Sequence, residues 1–400
     1  MMNSYIGPRP AFPFSILLKS KGDSKNTVFP FNQERCYYFF SARYAVRAGI
    51  RALGLGPKDG ILFPSYNCGV ELDPLLRLNI KPTFYRIGKD LLVDLEDLQG
   101  KIDQNTKAIF ITHFLGFPQP MEEIKEICKR RDLLLIEDCA HAFISRDDKN
   151  FLGSYGDIAI FSIRKTLPIP DGGILLINKE NIKQNQNNTI PELFSTYYFA
   201  MELLRYRTYK DKNSIREKCE KYFFYTLYNF FTLTRFWLRA YRKLFRAKRP
   251  YLMRPDSPDF VRDACTWTMS NLSKNIINVT NFEQVKAARR NNFEYLLDHF
   301  TRKNGPELIY KELTPGVCPL FFPILVESSI KRDRLYNSLK RRGVATHPWW
   351  QEFHKGVPWG EFPDAVYLKE RLFGLPIHQD LTFGHLDRVI EEFEKAYRSV

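Results

Sequence analysis

Leu133-Leu134-Leu135-Ile136-Glu137-Asp138-Cys139-Ala140-His141 is an apolar run that ends in two acids. A second run, Ile158-Ala159-Ile160-Phe161-Ser162-Ile163-Arg164-Lys165, ends in a lysine, and Asp171-Gly172-Gly173 follows shortly after. Short apolar runs of this kind read as strands buried on both faces. An acid at one strand end and an amine at a nearby one are the two groups that a pyridoxal phosphate site requires. The lysine forms a Schiff base with the cofactor aldehyde, and the carboxylate keeps the pyridine nitrogen protonated so that the ring accepts electrons. The plainer alternative is an acid at the end of any parallel strand and a solvated lysine, since open α/β sheets gather polar groups at their strand ends.

The flanking sequence alternates as a doubly wound sheet requires. Ser41 is placed to cap a helix from 42 to about 53, with Gly54 near its end. Strand-like runs follow at 61–64, 83–87, 108–113, 133–138, 158–163 and 174–178. Between two of them, 121–131 reads as a helix whose Ile124, Ile127 and Cys128 share one face. Strands alternating with helices predict a mainly parallel sheet covered on both sides. In the last third, 320–326 reads as a strand, 332–342 as a helix closed by Gly343, and about 385–397 as a final helix.

Three ordered segments resemble the DegT/DnrJ/EryC1/StrS family of sugar aminotransferases, a branch of the fold type I pyridoxal phosphate enzymes. The family's E-D-x-A-[HQ] reads Glu137-Asp138-Cys139-Ala140-His141. Its G-D-x-x-x-F-S reads Gly156-Asp157-Ile158-Ala159-Ile160-Phe161-Ser162. Its lysine followed by [DE]-G-G reads Lys165, five residues, then Asp171-Gly172-Gly173. The resemblance runs from about Phe40 to the C-terminus with one large interruption. Some relatives carry histidine at the lysine position and dehydrate sugars, so Lys165 favours transamination.

The resemblance implies roles for further residues. Asp138 and Lys165 are the catalytic pair. The cofactor phosphate is expected at the N-terminus of the Ser41 helix, where free N–H groups and the helix dipole favour an anion. The family's S-G-T there reads Ser41-Ala42-Arg43, and Arg43 either binds the phosphate bidentately or points into solvent. Only Ile163 and Arg164 separate Ser162 from Lys165, where the family has four residues, which leaves the reach of Ser162 to the phosphate open. Tyr66 and Asn67 lie in a loop that packs over the cofactor ring in relatives; a buried loop tyrosine is the alternative. His141 matches a position that contacts the ring. His347 and His378, the latter in Leu375-Pro376-Ile377-His378, are candidates for substrate contact, with a turn-stabilising role open for His378. No metal site is expected.

The composition fits an enzyme of this kind. With 400 residues, 44% of them hydrophobic and 15% aromatic, the chain is long enough for a large and a small domain around ample core. The seven cysteines contain no C-x-x-C pair, as expected for reduced thiols in a cytosol. No basic-then-apolar leader opens the sequence, and no uncharged apolar run reaches the length of a membrane span.

From about 181 to 262 the chain departs from the family pattern. Residues 201–250 hold 14 lysines and arginines against 4 acids, so most of the net charge of +15 belongs to this segment. Residues 222–234 are uncharged and aromatic-rich. Arg235-Phe236-Trp237-Leu238-Arg239-Ala240-Tyr241-Arg242-Lys243-Leu244-Phe245-Arg246 then mixes bases and aromatics at helical spacing. Such a helix suits the core of a helical insert, a nucleotide-sugar diphosphate or an anionic membrane interface. No recognised module supports nucleic-acid binding.

The sequence therefore predicts an α/β protein of pyridoxal phosphate-transferase fold type I. A large cofactor-binding domain spans 1–182, with a mainly parallel doubly wound sheet. A basic helical insertion spans 183–262, and a dimer-crossing segment with a smaller α+β domain spans 263–400. The expected activity is a cytoplasmic, homodimeric aminotransferase moving an amino group from glutamate to a nucleotide-linked ketosugar, in polysaccharide or glycoconjugate synthesis. Peripheral membrane contact through 215–250 is an added expectation. The alternatives are a pyridoxal phosphate-dependent sugar dehydratase and a catalytically silent membrane-associated relative acting as an assembly factor.

Overall fold

In a computed structural model of the chain, the two opening runs are adjacent parallel strands. The structure describes residues 5–12, 28–184, 189–191, 265–302 and 305–400, with isolated positions between 196 and 233. The large sheet contains β1 (Cys36–Phe39), β2 (Gly60–Pro64), β3 (Thr83–Tyr85), β4 (Thr106–Thr112), β5 (Leu134–Asp138), β6 (Ile158–Ser162) and β7 (Gly173–Ile177). Its order is β1-β7-β6-β5-β4-β2-β3. The five strands from β3 to β6 are mutually parallel, β7 is antiparallel to β6, and β1 is antiparallel to β7. Every residue of β6 and β7 is buried, which is why these strands read as unbroken apolar runs.

Helices cover the sheet. Helix α1 (Ala42–Ala52) lies across β6 and β7; α2 (Asp73–Leu76), α3 (Leu95–Gly100) and α4 (Met121–Arg131) follow it in the chain. Helix α4 has the expected bounds and buries Ile124, Ile127 and Cys128. The expected strand at 158–163 stops one residue short. Ile163–Lys165 winds into a single 3₁₀ turn while Ile163 N–H still bonds to Gly172 O at 3.1 Å.

Two motifs have structural explanations. Glu137 is completely buried next to Asp138. Its carboxylate accepts from the backbone N–H groups of Gly153, Tyr155 and Gly156 and lies 3.0 Å from His113 Nε2. It thereby pins the loop that leads into β6. Cys139 brings a third ligand-type atom within 4.8 Å of that pair, but both carboxylate oxygens are already engaged.

In Asp171-Gly172-Gly173, the acid accepts from Ser270 N–H at 2.8 Å, fixing the start of α5 (Asn271–Val279). Gly173 passes so close to the N-terminus of α1 that a Cβ would meet Ser41 C at 2.3 Å and Ala42 N at 2.4 Å.

The second sheet is antiparallel, in the order β10-β11-β9-β8: β8 (Glu307–Leu308), β9 (Phe322–Leu325), β10 (His347–Pro348) and β11 (Leu372–Leu375). The long α6 (Phe282–Thr301) leads into it, and α7 (Ser329–Arg341), α8 (Pro363–Arg371) and α9 (Phe383–Ser399) complete this part. Helix α7 starts three residues before the expected 332–342 and ends one residue short of it, and α9 extends two residues beyond the expected 385–397 at each end.

The N-terminal residues 5–12, placed by sequence in the large domain, touch both parts: Ile6, Gly7 and Ala11 bond to the small one, and Phe12 is buried in the same apolar cluster as Phe143 and Phe161 of the large one. Ile6, wholly buried, pairs with Val344. The reading missed this because eight residues carry no periodicity of their own. Most of the 183–262 insertion, including nearly all of 215–250, lies outside the described residues. No helix among the described residues is long and apolar enough to cross a membrane.

Candidate active site

A cavity of about 500 Å³ opens where β5 and β6 end, the place at which a parallel sheet presents groups to a ligand. Asp138, the last residue of β5, and Lys165, three residues beyond β6, both line it. Parallel neighbours end on the same side of the sheet, so the strand pairing alone brings the acid and the amine together.

Burial controls both ionisations. The Asp138 carboxyl is pushed up to about 6, first by desolvation and then by the nearby Glu71 carboxylate; Lys165 and the Ala140 N–H, which bonds to it at 2.9 Å, oppose this. Desolvation lowers the Lys165 amine below the ordinary lysine value, partly offset by Cys68, Asp138 and Glu71. An amine so placed gives up its proton more readily and is a better nucleophile and base at neutral pH. His141, also in the wall, is held well below the usual histidine range by burial and by the Lys165 cation, so its ring is neutral.

The opposite wall is the start of α1. Ser41, Ala42 and Arg43 line the cavity, and the Arg43 side chain is 2% exposed, which settles its direction: inward. Ser41 takes the extended conformation of an N-cap, although its hydroxyl makes no capping bond. The first turn of an eleven-residue helix together with a buried guanidinium is an arrangement that favours an anion. Ser162 lines the same cavity despite the shortened spacing to Lys165.

Other candidates separate. His347 is in the wall. Tyr66 and Asn67 are not among the lining residues. Tyr66 is buried against Phe114 and Trp350, at ring distances of 5.5 and 5.1 Å. Asn67 spends its side chain on the turn, donating to Pro64 O and Ser65 O and accepting from Gly69 N–H. The loop instead presents Cys68 and Glu71, whose Sγ and Oε2 are 2.6 Å apart.

His378 also lies outside the wall. It is buried with Nε2 3.1 Å from Gly7 O, and its pKa is pushed down to about 3 by burial and by Arg289. The carbonyls of Ile377 and His378 accept from Asn292, so this motif serves the small domain and its N-terminal strap.

Sequence reasoning passed over the indoles. Trp349 and Trp350 stack at 5.6 Å and each lies 5.1 Å from the His141 ring. Together with His347 they give the cavity an aromatic side. The tandem Trp-Trp after His347 was the available signal.

The geometry agrees with the comparisons. The model of the DegT/DnrJ/EryC1/StrS aminotransferase family matches residues 32–190 and 269–394. The chain belongs to this family. The internal stretch without a match, 191–268, coincides with most of the basic interruption. The chain is 31% identical to the GDP-perosamine synthase of Escherichia coli O157:H7 over 141 residues, which are 34% of this chain and only 39% of that enzyme.

Solved structures share the fold over nearly the whole length. The Helicobacter pylori aminotransferase PseC, involved in pseudoaminic acid biosynthesis, superimposes with TM-score 0.65 at 15% identity, covering 100% of both chains. The aminotransferase TlmJ from Streptoalloteichus hindustanus gives 0.62 at 19% identity, covering 92% of this chain and 86% of that one.

The residues present fit pyridoxal phosphate. Lys165 would supply the amine, Asp138 a carboxylate for the ring nitrogen, and the α1 N-terminus with Arg43 a seat for the phosphate.

Proposed function

We propose that the chain is a pyridoxal phosphate-dependent aminotransferase that takes an amino group from glutamate and delivers it to a nucleotide-linked ketosugar, in polysaccharide or glycoconjugate synthesis. The observation that carries this reading is the meeting of Lys165, Asp138 and the α1 anion cradle in one cavity. Bound pyridoxal phosphate would supply an aldehyde for amine exchange and a ring that accepts electron density from the donor α-carbon. Lys165 would hold the cofactor between turnovers. Once displaced, its amine would remove a proton from the donor α-carbon and return one on the other side of the exchange, work that its lowered pKa suits. Asp138, a carboxylate above pH 6, would keep the ring nitrogen protonated. Neutral His141 and the two indoles would shelter the site from water.

The donor and acceptor rest on kinship with sugar aminotransferases and on the size and aromatic side of the cavity. The test is a pair of half-reactions on the purified, cofactor-loaded protein. Glutamate should convert the cofactor to its amino form with release of a keto acid, and a nucleotide ketosugar should restore it. A loaded protein that dehydrates such sugars without consuming an amino donor would favour the dehydratase alternative. A homodimer is part of this reading and is tested by the mass in solution.

A second observation concerns the interruption. Tyr222, Phe223, Phe230 and Leu233 are 58–70% exposed and recur at helical spacing beside the basic run. We infer peripheral contact with an anionic membrane. Co-flotation with phosphatidylserine vesicles should be lost when these four residues are changed to serine; flotation that persists would refute the assignment.

A further inference from the structure

The family match begins at residue 32, yet the cavity wall includes Arg9. The strap that brings it there is fastened on both sides. Before Arg9, Ile6 N–H bonds to Gly343 O at 2.8 Å, Ala345 N–H bonds to Ile6 O at 2.9 Å, and Gly7 O meets His378 Nε2 at 3.1 Å. After it, Ala11 N–H bonds to Asp380 Oδ2 at 2.8 Å, and Phe12 is 3% exposed. Pro8 and Pro10 bracket the arginine. Each fixes its own φ, and Pro10 also restricts Arg9 to extended backbone. Five bonded or buried anchors and two prolines hold a single cationic side chain at the cavity.

A strap serving only to fill apolar gaps would need Ile6 in one core cluster and Phe12 in the other, but no charge facing a ligand cavity. Arg9 is only part-buried, and among the described residues no carboxylate pairs with it. Its backbone is ordered before any ligand arrives, so binding through it forfeits little conformational entropy.

We propose that Arg9 is a substrate-recognition residue whose guanidinium holds an anionic oxygen group of the substrate in the cavity that contains Lys165. Both proposed substrates carry such a group: the carboxylates of the amino donor and the diphosphate of the sugar nucleotide. A planar guanidinium pairs with either through two parallel N–H···O bonds. His378 acquires a function through this strap, as a positioning residue that anchors Gly7 and so helps to seat Arg9. The proposal rests on the aminotransferase reading for its substrates and on the strap geometry for its residue.

The experiment uses the full chain with Arg9→Gln and Arg9→Lys. KM is measured separately for donor and acceptor, and indole fluorescence, to which Trp349 and Trp350 of the cavity wall contribute among five tryptophans, is titrated with glutamate and with inorganic pyrophosphate. Arg9→Gln should raise one KM roughly 10- to 100-fold, the worth of a charge-assisted pair. It should leave kcat within about threefold, and Arg9→Lys should recover part of the loss. A shift confined to the donor KM identifies a carboxylate ligand; a shift confined to the acceptor KM, with weakened pyrophosphate binding, identifies the diphosphate. Unchanged KM values overturn the proposal. If the wild-type chain binds no pyridoxal phosphate, the aminotransferase reading fails by itself. The fluorescence titrations then decide the role of Arg9, and binding that is equal in wild type and Arg9→Gln overturns it.

Discussion

The Nζ of Lys369 donates to the backbone oxygen of Asn67 at 2.8 Å, joining α8 of the small domain to the cavity loop of the large one. The same amine donates to Trp350 O at 2.9 Å and Glu352 O at 2.7 Å and sits 4.6 Å over the Trp359 ring. One wholly buried amine thus fixes the carbonyls of Asn67 and of two residues of the cavity wall, Trp350 and Glu352.

Desolvation lowers the pKa of Lys369 to about 8, against the pull of Cys68, Glu71 and Glu352. A neutral amine has two N–H groups for three carbonyls, so the tether loosens as pH rises through 8. Activity should show an alkaline limb near that pH which Lys369→Arg moves upward. Folding stability should respond in the opposite sense. The unfolded chain binds the extra proton between about 8 and the ordinary lysine value, so this group's contribution rises with pH across that window. Paired pH profiles of kcat and of denaturant midpoint check both signs.

Gly173→Ala should act at the cofactor phosphate. The new methyl would meet the backbone of Ser41 and Ala42, neither of which can rotate away. The start of α1 must shift, and we expect affinity for pyridoxal phosphate to fall at least about tenfold with a stability loss of about 2 kcal/mol. Equilibrium dialysis and urea unfolding measure the two effects.

Arg289 ties the residue after Lys165 to the small domain. Its Nη2 donates to Thr166 O at 3.1 Å, its Nη1 to Pro319 O and Leu320 O, and its Nε to Gln379, which itself donates to Thr166 O. Arg289→Met strands the Pro319 and Leu320 carbonyls, leaves Thr166 O with Gln379 alone, and should cost about 3 kcal/mol. Arg289→Lys should restore part of it in chemical unfolding.

Asp138 should set an acidic limit. Its carboxyl titrates near 6, above the ordinary aspartate value. The folded chain therefore holds a proton that the unfolded one has lost, and this contribution to stability is present at low pH and disappears as pH rises through about 6. Only the carboxylate can pair with a protonated ring nitrogen, so affinity for pyridoxal phosphate should fall below pH 6. Asp138→Asn should remove that slope and weaken binding across the range. Fluorescence titration of the cofactor from pH 5 to 8 provides the check.

The elements that carry the site were legible because their burial is two-sided. β5 and β6 lie inside a covered sheet, so their apolar runs stood out, and the residues at their ends were readable as Asp138 and Lys165. α4 was legible through its one apolar face. Other elements gave no such signal. β1, β8, β10 and β11 are two to four residues long, too short to show a period. α6 mixes buried Arg289 and Asn292 with its apolar face, and this polar burial hides the stripe. In the loop after β2, the cavity residues begin one position beyond the expected tyrosine and asparagine, at Cys68, because Asn67 is consumed in forming the turn. The place of Arg9 depends on contacts more than 300 residues away in sequence, which no local pattern encodes.

The most direct test is borohydride reduction of the protein loaded with pyridoxal phosphate, followed by peptide mass spectrometry. The account predicts a near-violet absorption band that bleaches on reduction, with the pyridoxyl mass on the peptide containing Lys165, and neither feature in Lys165→Ala. Absence of the band after loading, or a pyridoxyl group on another lysine, would contradict it.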